Sequence, residues 1–228
     1  MPQALPQPWD YIEPALIPPT EIDSNEPPLE SDWHRDQINL LIRLLQWYWR
    51  DQTDFYVSGN LTIYFNERQL TTRDFRGPDF FVVLGAENRK RRSWVLWAED
   101  GKYPNVLVEL LSPSTAAVDK GLKKQLYQDV FRTPEYFLYN PDTQTLEGFH
   151  LVDNRYEGIV PTNQGWLWSQ QLELFLGLYE DNLRFFTAEG SLVLLPEEEE
   201  RQRAEAAEQA LAALQAKLKA QGINLDDL

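Results

Sequence analysis

Val106-Leu107-Val108-Glu109-Leu110-Leu111, followed by Ser112-Pro113-Ser114-Thr115, is the stretch on which the fold turns. It is apolar at nearly every position, which predicts a strand covered on both faces, as in a sheet flanked by helices. Glu109 is its only charge. A carboxylate in such a strand must be paired, hydrogen-bonded or bound to a cation, because desolvating the ion otherwise costs several kcal/mol. The Ser-Pro-Ser-Thr run carries helix-start chemistry, and Asp119, Leu122, Lys123, Leu126, Tyr127 and Val130 follow at helical spacing. Past Pro134 come EYFLYN and, beyond a Pro141-Asp142 turn, TLEGFHL, so a crossover helix joins buried strands.

Upstream, Ile38, Leu41, Ile42, Leu45 and Trp49 recur at three- and four-residue steps, with Ser31 or Asp32 available as N-cap, and predict an amphipathic helix from Ser31 to about Asp51. DFYVSG and LTIYFN have strand character and flank Gly59-Asn60, which reads most simply as a hairpin. Pro78-Asp79 leads into FFVVLG, placing Asp79 at a strand's entrance. The sum is an α/β domain with a mixed sheet flanked by helices, over residues 31–195. Residues 1–30 hold eight prolines among acids and form a Pro-rich arm expected to lie on the core. The stretch through Trp166, Trp168 and Phe185-Phe186 reads as short covering elements. In the tail, 196–228, Ala204, Ala207, Leu211, Leu214 and Leu218 form a short heptad seam suited either to a coiled coil with another copy or to packing back on the core.

The net charge of −15 runs against nucleic-acid contact, but its distribution is uneven. Residues 1–33 contribute −7 and residues 196–228 contribute −4, leaving −4 for the centre. Arg89, Lys90, Arg91 and Arg92 form one basic run, read first as a solvated loop and second as a phosphate contact. The absence of cysteine excludes disulfides and thiolate metal sites and fits a reducing cytoplasm. The opening residues carry neither a signal peptide's basic start nor an apolar run of spanning length, so a cytoplasmic, membrane-free protein is expected. No phosphate-cradling glycine loop or nucleophile elbow is present.

Two carboxylates, Asp79 and Glu109, converging at strand ends with a backbone carbonyl and water would make the all-oxygen site that Mg²⁺ or Mn²⁺ accepts. Lys123 shares a helix stripe with Asp119 and Tyr127; there it can orient water and stabilise a phosphate, or simply pair with Glu109. Lys124 points away and is expected in solvent. Asp100-Gly101-Lys102 offers a literal D-x-K, but in a Gly- and Pro-flanked loop unable to fix a carboxylate. Asp32 and Asp36 are candidates for a further acid from the first helix. His34 reads as a surface or capping residue.

Pro78-Asp79, VLVELLSPST, the segment DKGLKKQLY and PEYFLYNP together resemble the Uma-type putative restriction endonuclease family, abundant in cyanobacteria, within the PD-(D/E)XK nuclease superfamily. The resemblance covers roughly residues 32–160, and the alanine-rich acidic tail is similar to tails of that family. It implies a restriction-endonuclease-like fold, magnesium held by Asp79 and Glu109 with help from the Leu110 carbonyl, Lys123 in the lysine's role, and DNA as substrate. One departure stands out: the superfamily's lysine position, two residues after the second acid, holds Leu111. The expectation is therefore a metal-dependent endonuclease, acting as a homodimer. The alternatives are a degenerate copy serving as a binding or oligomerisation module, favoured by the acidity, and a phosphate-ester enzyme acting on a small nucleotide.

Overall fold

The computed structural model describes residues 19–24, 31–69, 77–112 and 118–221. Helix α1 (Asp32–Tyr48) opens on Ser31, whose Oγ accepts the His34 N–H at 3.1 Å. The expected stripe is buried at Ile38, Leu41, Leu45 and Trp49, with Leu44 added and Ile42 only half-buried.

Eleven strands follow among the described residues: β1 (Phe55–Ser58), β2 (Ile63–Tyr64), β3 (Phe80–Leu84), β4 (Trp94–Val95), β5 (Val106–Leu110), β6 (Glu135–Asn140), β7 (Thr145–Val152), β8 (Arg155–Gly158), β9 (Leu167–Ser169), β10 (Leu174–Tyr179) and β11 (Asn182–Phe186). Six of them make the main sheet in the order β1-β3-β5-β6-β7-β8. It is mixed: β5 and β6 run parallel, as the crossover required, and the other neighbours are antiparallel. Every residue of β5 is buried, in keeping with its unbroken apolar reading.

The two faces of the sheet build two cores. On one, Val106, Val108 and Leu110 meet α1 and the antiparallel sheet β11-β10-β9, which is what the aromatic-rich covering segment forms. On the other, Leu107 and Leu111 meet Tyr127, Phe131 and the β2/β4 pair.

Three local readings are corrected. Gly59-Asn60 is a turn, with Asn60 at φ 45°, but it closes no hairpin: β1 pairs with β3, and β2 pairs in parallel with β4. The Asn60 N–H turns back to the carbonyls of Pro78 and Asp79. The crossover helix, α2, is π-helical over Asp119–Lys123 and Tyr127–Phe131, with one α turn, Lys124–Leu126, between. Its i→i+5 bonding widens the turn and brings residues four apart closer to one line. Asp119, Tyr127 and Phe131 are therefore buried, whereas Leu122 and Val130, on the α-periodic stripe, are exposed. The proposed start of this helix, Pro113 to Thr115, lies outside the described residues.

The third correction concerns the basic run. Arg91 is buried, held by Glu99 at 2.6 Å and stacked on Tyr56 and Trp94, while Arg89 joins Glu99 and Arg92 reaches Asp23. Arginine suits this role because its fork binds a carboxylate bidentately while its plane lies on rings. Arg91 is thus an internal clamp, while Arg89, Lys90 and Arg92 stay exposed, as a solvated loop requires. Part of the arm lies beside it: Ser93 Oγ donates to the Ile22 carbonyl and Trp97 Nε1 to that of Pro19. The other arm residues, 1–18 and 25–30, lie outside the described residues.

The terminal helix α3 (Pro196–Ala220) is fixed at its start through Arg43–Glu197, Trp47–Glu199 and Arg184–Glu198. Beyond that it leaves the domain and buries no residue, so it does not fold back on the core. Among the described residues no helix is long and apolar enough to cross a membrane.

Candidate functional site

The register of β3 against β5, Phe80 opposite Val108, continues one step to set Asp79 beside Glu109. Two bonds tie them: the Asp79 N–H donates to Glu109 Oε2 at 3.3 Å, and the Leu110 N–H to Asp79 Oδ2 at 2.7 Å. Gly59 makes the approach possible, since a Cβ there would lie 2.2 Å from the Asp79 carbonyl oxygen and 2.5 Å from Ile38 Cγ2.

Glu109 follows the period of two that points Leu107 and Leu111 at α2. Its side chain is fully buried, and the residues four apart on α2 converge on it. Tyr127 Oη donates to Oε1 at 2.8 Å, and Lys123 Nζ lies 3.1 Å from Oε2 and 2.9 Å from Asp119 Oδ1. Asp119 is itself buried, and its backbone carbonyl accepts from Tyr136 Oη. The structure thus brings together Asp79, Glu109, Lys123 and Leu110, and adds Asp119 and Tyr127 from the stripe already noted.

Burial pushes the Glu109 carboxyl up to about 8; Lys123 opposes the rise, and the negative charges of Asp79 and Asp119 add to it. For Lys123 burial works toward the neutral amine, but the attraction of Glu109, Asp119 and Asp79 outweighs it and keeps the pKa above that of a free lysine. Lys123 is consequently a permanent ammonium at neutral pH.

His34 was missed. It is buried, with Nε2 at 3.0 Å from Asp79 Oδ1. A signal existed: His34, Ile38, Leu41 and Leu45 are spaced four, three and four, so the histidine sits on the core-facing stripe. Asp32 and Asp36 lie off that stripe, exposed beside Arg35, and the first helix contributes no acid. Lys124 is half-buried, its Nζ 3.2 Å from the centroid of the Phe149 ring, so it is not the solvent lysine expected. Asp100-Gly101-Lys102 is a surface turn, with Lys102 Nζ on the Gly85 carbonyl.

Whether a divalent cation suits these residues is decided by donors and charge. Among the described residues no three His, Asp or Glu side chains converge as a ready-made metal-binding group. A cation here would rely on Asp79 and Glu109, backbone oxygen and water. Among the described residues, hydrogen bonds take one of the four lone-pair positions of Asp79 and three of those of Glu109, and His34 Nε2 stands against Asp79 Oδ1, which leaves oxygen donors for a metal. With Glu109 deprotonated, as a bound cation would require, the carboxylates of Asp79, Glu109 and Asp119 and the Lys123 ammonium sum to −2, matching a divalent ion, and the donors are hard oxygens. The residues fit. A cleft of about 550 Å³, lined by Trp33, His34, Leu111, Ser112 and Asp142 among others, opens beside them.

Comparison with known proteins places the chain. The family model Uma2, described as "Putative restriction endonuclease", matches residues 21–215. An uncharacterized protein from Synechocystis sp. is 29% identical over 85 residues, 37% of this chain and 42% of that protein. The chain thus spans less than half the length of this relative. A crystal structure from Anabaena variabilis, titled as a putative nuclease of the DUF820 group, has 17% identity and a TM-score of 0.48, covering 66% of this chain and 80% of its own. The assignment rests on the family model.

Proposed function

The chain belongs to the Uma2 family of putative restriction endonucleases, and from that premise we propose that it is a divalent-metal-dependent phosphodiesterase acting on DNA. The observation that carries this reading is the pairing of Asp79 with buried Glu109 beneath the Lys123 ammonium, in a cluster whose charge suits a divalent cation.

In this reading Asp79 and Glu109, with the Leu110 carbonyl, hold Mg²⁺ or Mn²⁺. The cation supplies Lewis-acid stabilisation of phosphoryl oxygens and activation of water. Asp79, the more exposed of the pair, faces the incoming ion and phosphate, and His34 fixes its carboxylate. Glu109 is oriented from one side by Tyr127 and from the other by Lys123. Because Lys123 stays charged, it acts as a donor to the developing charge on phosphorus oxygens and not as a base.

The test is cleavage of supercoiled plasmid with Mg²⁺ or Mn²⁺ by wild type, Asp79→Ala and Lys123→Ala. Asp79→Ala abolishes cleavage, and loss of the Lys123 donor costs about 10²–10³ in rate, while both variants keep a cooperative unfolding transition. Equal cleavage by wild type and Asp79→Ala defeats the proposal. A second reading, a degenerate module that binds without cutting, is favoured by the net charge of −15 and by the internal use of Arg91, which takes one cation of the basic run away from any phosphate. Inactive wild type that binds no metal would turn the assignment to it.

A further inference from the structure

We propose that α3 pairs in parallel, as a two-stranded coiled coil, with α3 of a second copy of this chain. Past Glu200 the helix buries no residue, and Leu211 and Leu214 are more than half exposed. A solitary helix with leucines in water gains nothing from its apolar stripe, whereas a partner helix would cover it. The stripe is Ala204, Ala207, Leu211, Leu214 and Leu218, stepping three, four, three, four. This is the spacing of alternating a and d positions over two heptads, and two copies bring identical stripes together.

Flanking charges choose the orientation. With Ala204 at a, the g positions are Arg203, Ala210 and Lys217, and the e positions include Glu208 and Gln215. A parallel pair sets each g against the partner's next e, so Arg203 meets the partner's Glu208, twice by symmetry. Both side chains are exposed and free of ion pairs within their own chain among the described residues. An antiparallel pair sets g against g and e against e; joined Leu211 to Leu214, it puts Lys217 against Ala210 and Glu208 against Gln215 and gains no ion pair. The parallel arrangement also brings both domains to one end of the coil, each anchored through Glu197, Glu198 and Glu199.

The lack of native cysteine makes the test direct. Light scattering across a concentration series should approach twice the 26.7 kDa chain mass. The double variant Leu211→Glu/Leu214→Glu should stay monomeric while its domain unfolds at the wild-type temperature, since neither leucine touches the core. Under mild oxidation, Ala207→Cys and Leu218→Cys, each alone, should form disulfide-linked dimers. Monomeric wild type up to its solubility limit overturns the proposal, as does a dimer that survives the double glutamate variant. A dimer in which neither single cysteine links to itself, but a mixture of the two variants links, overturns the parallel orientation.

Discussion

Tyr127→Phe removes one oxygen from the core and nothing else, and the consequence depends on the charge of Glu109. The ring stays packed against Phe131 and Tyr136, so the lost quantity is the 2.8 Å hydrogen bond to Glu109 Oε1. A bond to a neutral group contributes about 1 kcal/mol net, and one to a buried charge about 2 kcal/mol. Burial holds the Glu109 proton up to about 8, and the Tyr127 hydroxyl, pushed well above 10 by its own burial, remains a donor throughout. The loss is therefore about 1 kcal/mol near pH 6 and about 2 kcal/mol near pH 9. For a chain of this size that lowers Tm by about 2–4 °C and about 4–8 °C respectively. Thermal unfolding of metal-free wild type and variant at both pH values reads the difference. A loss independent of pH, or larger in acid, would show that Tyr127 does not act on the Glu109 carboxylate.

Other consequences are equally open to measurement. Arg91→Ala should destabilise by about 3 kcal/mol, because it strips a buried partner from Glu99 and two aromatic faces; Arg91→Lys should recover only part of it in urea unfolding, and full recovery would contradict the clamp. Gly59→Ala should cost about 1–3 kcal/mol from backbone overlap, and, by displacing Asp79, should reduce cleavage further than the loss of folded protein explains. Metal affinity should rise with pH and level off above about 8, since the cation displaces the Glu109 proton; calorimetry in buffers of different ionisation heat counts that proton, and a flat profile counts against Glu109 as ligand. In the metal-free chain the linkage runs the other way. A carboxyl raised from 4.5 to about 8 stabilises the fold fully below 4.5 and loses that contribution as pH climbs to about 8, so Glu109→Gln should flatten the slope.

The parts of this molecule legible in the sequence are those carried by short-range pattern. The unbroken apolar run around Glu109 announced a doubly covered strand, and β5 is buried at every position. Asp79, one residue before an aromatic run, had to stand at a strand's mouth. What pattern could not give was pairing across distance: the β2/β4 contact joins Ile63 to Trp94, and nothing near Gly59-Asn60 distinguishes it from a hairpin turn. Helical period fails where the helix is not α: it turns Leu122 inward, whereas the side chain faces water. Arg91 gave no local sign of its stacking partners, because Tyr56 and Trp94 come from different strands. His34 was within reach, spaced on the buried stripe of α1, and was set aside only because histidines near helix starts are commonly exposed.

Calorimetric titration of Mn²⁺ into wild type and Glu109→Gln tests most directly whether Asp79 and Glu109 share one divalent cation. One site per chain in wild type, lost in a Glu109→Gln protein that still unfolds cooperatively, is the predicted result. Undiminished binding in that variant, or none in wild type, would contradict it.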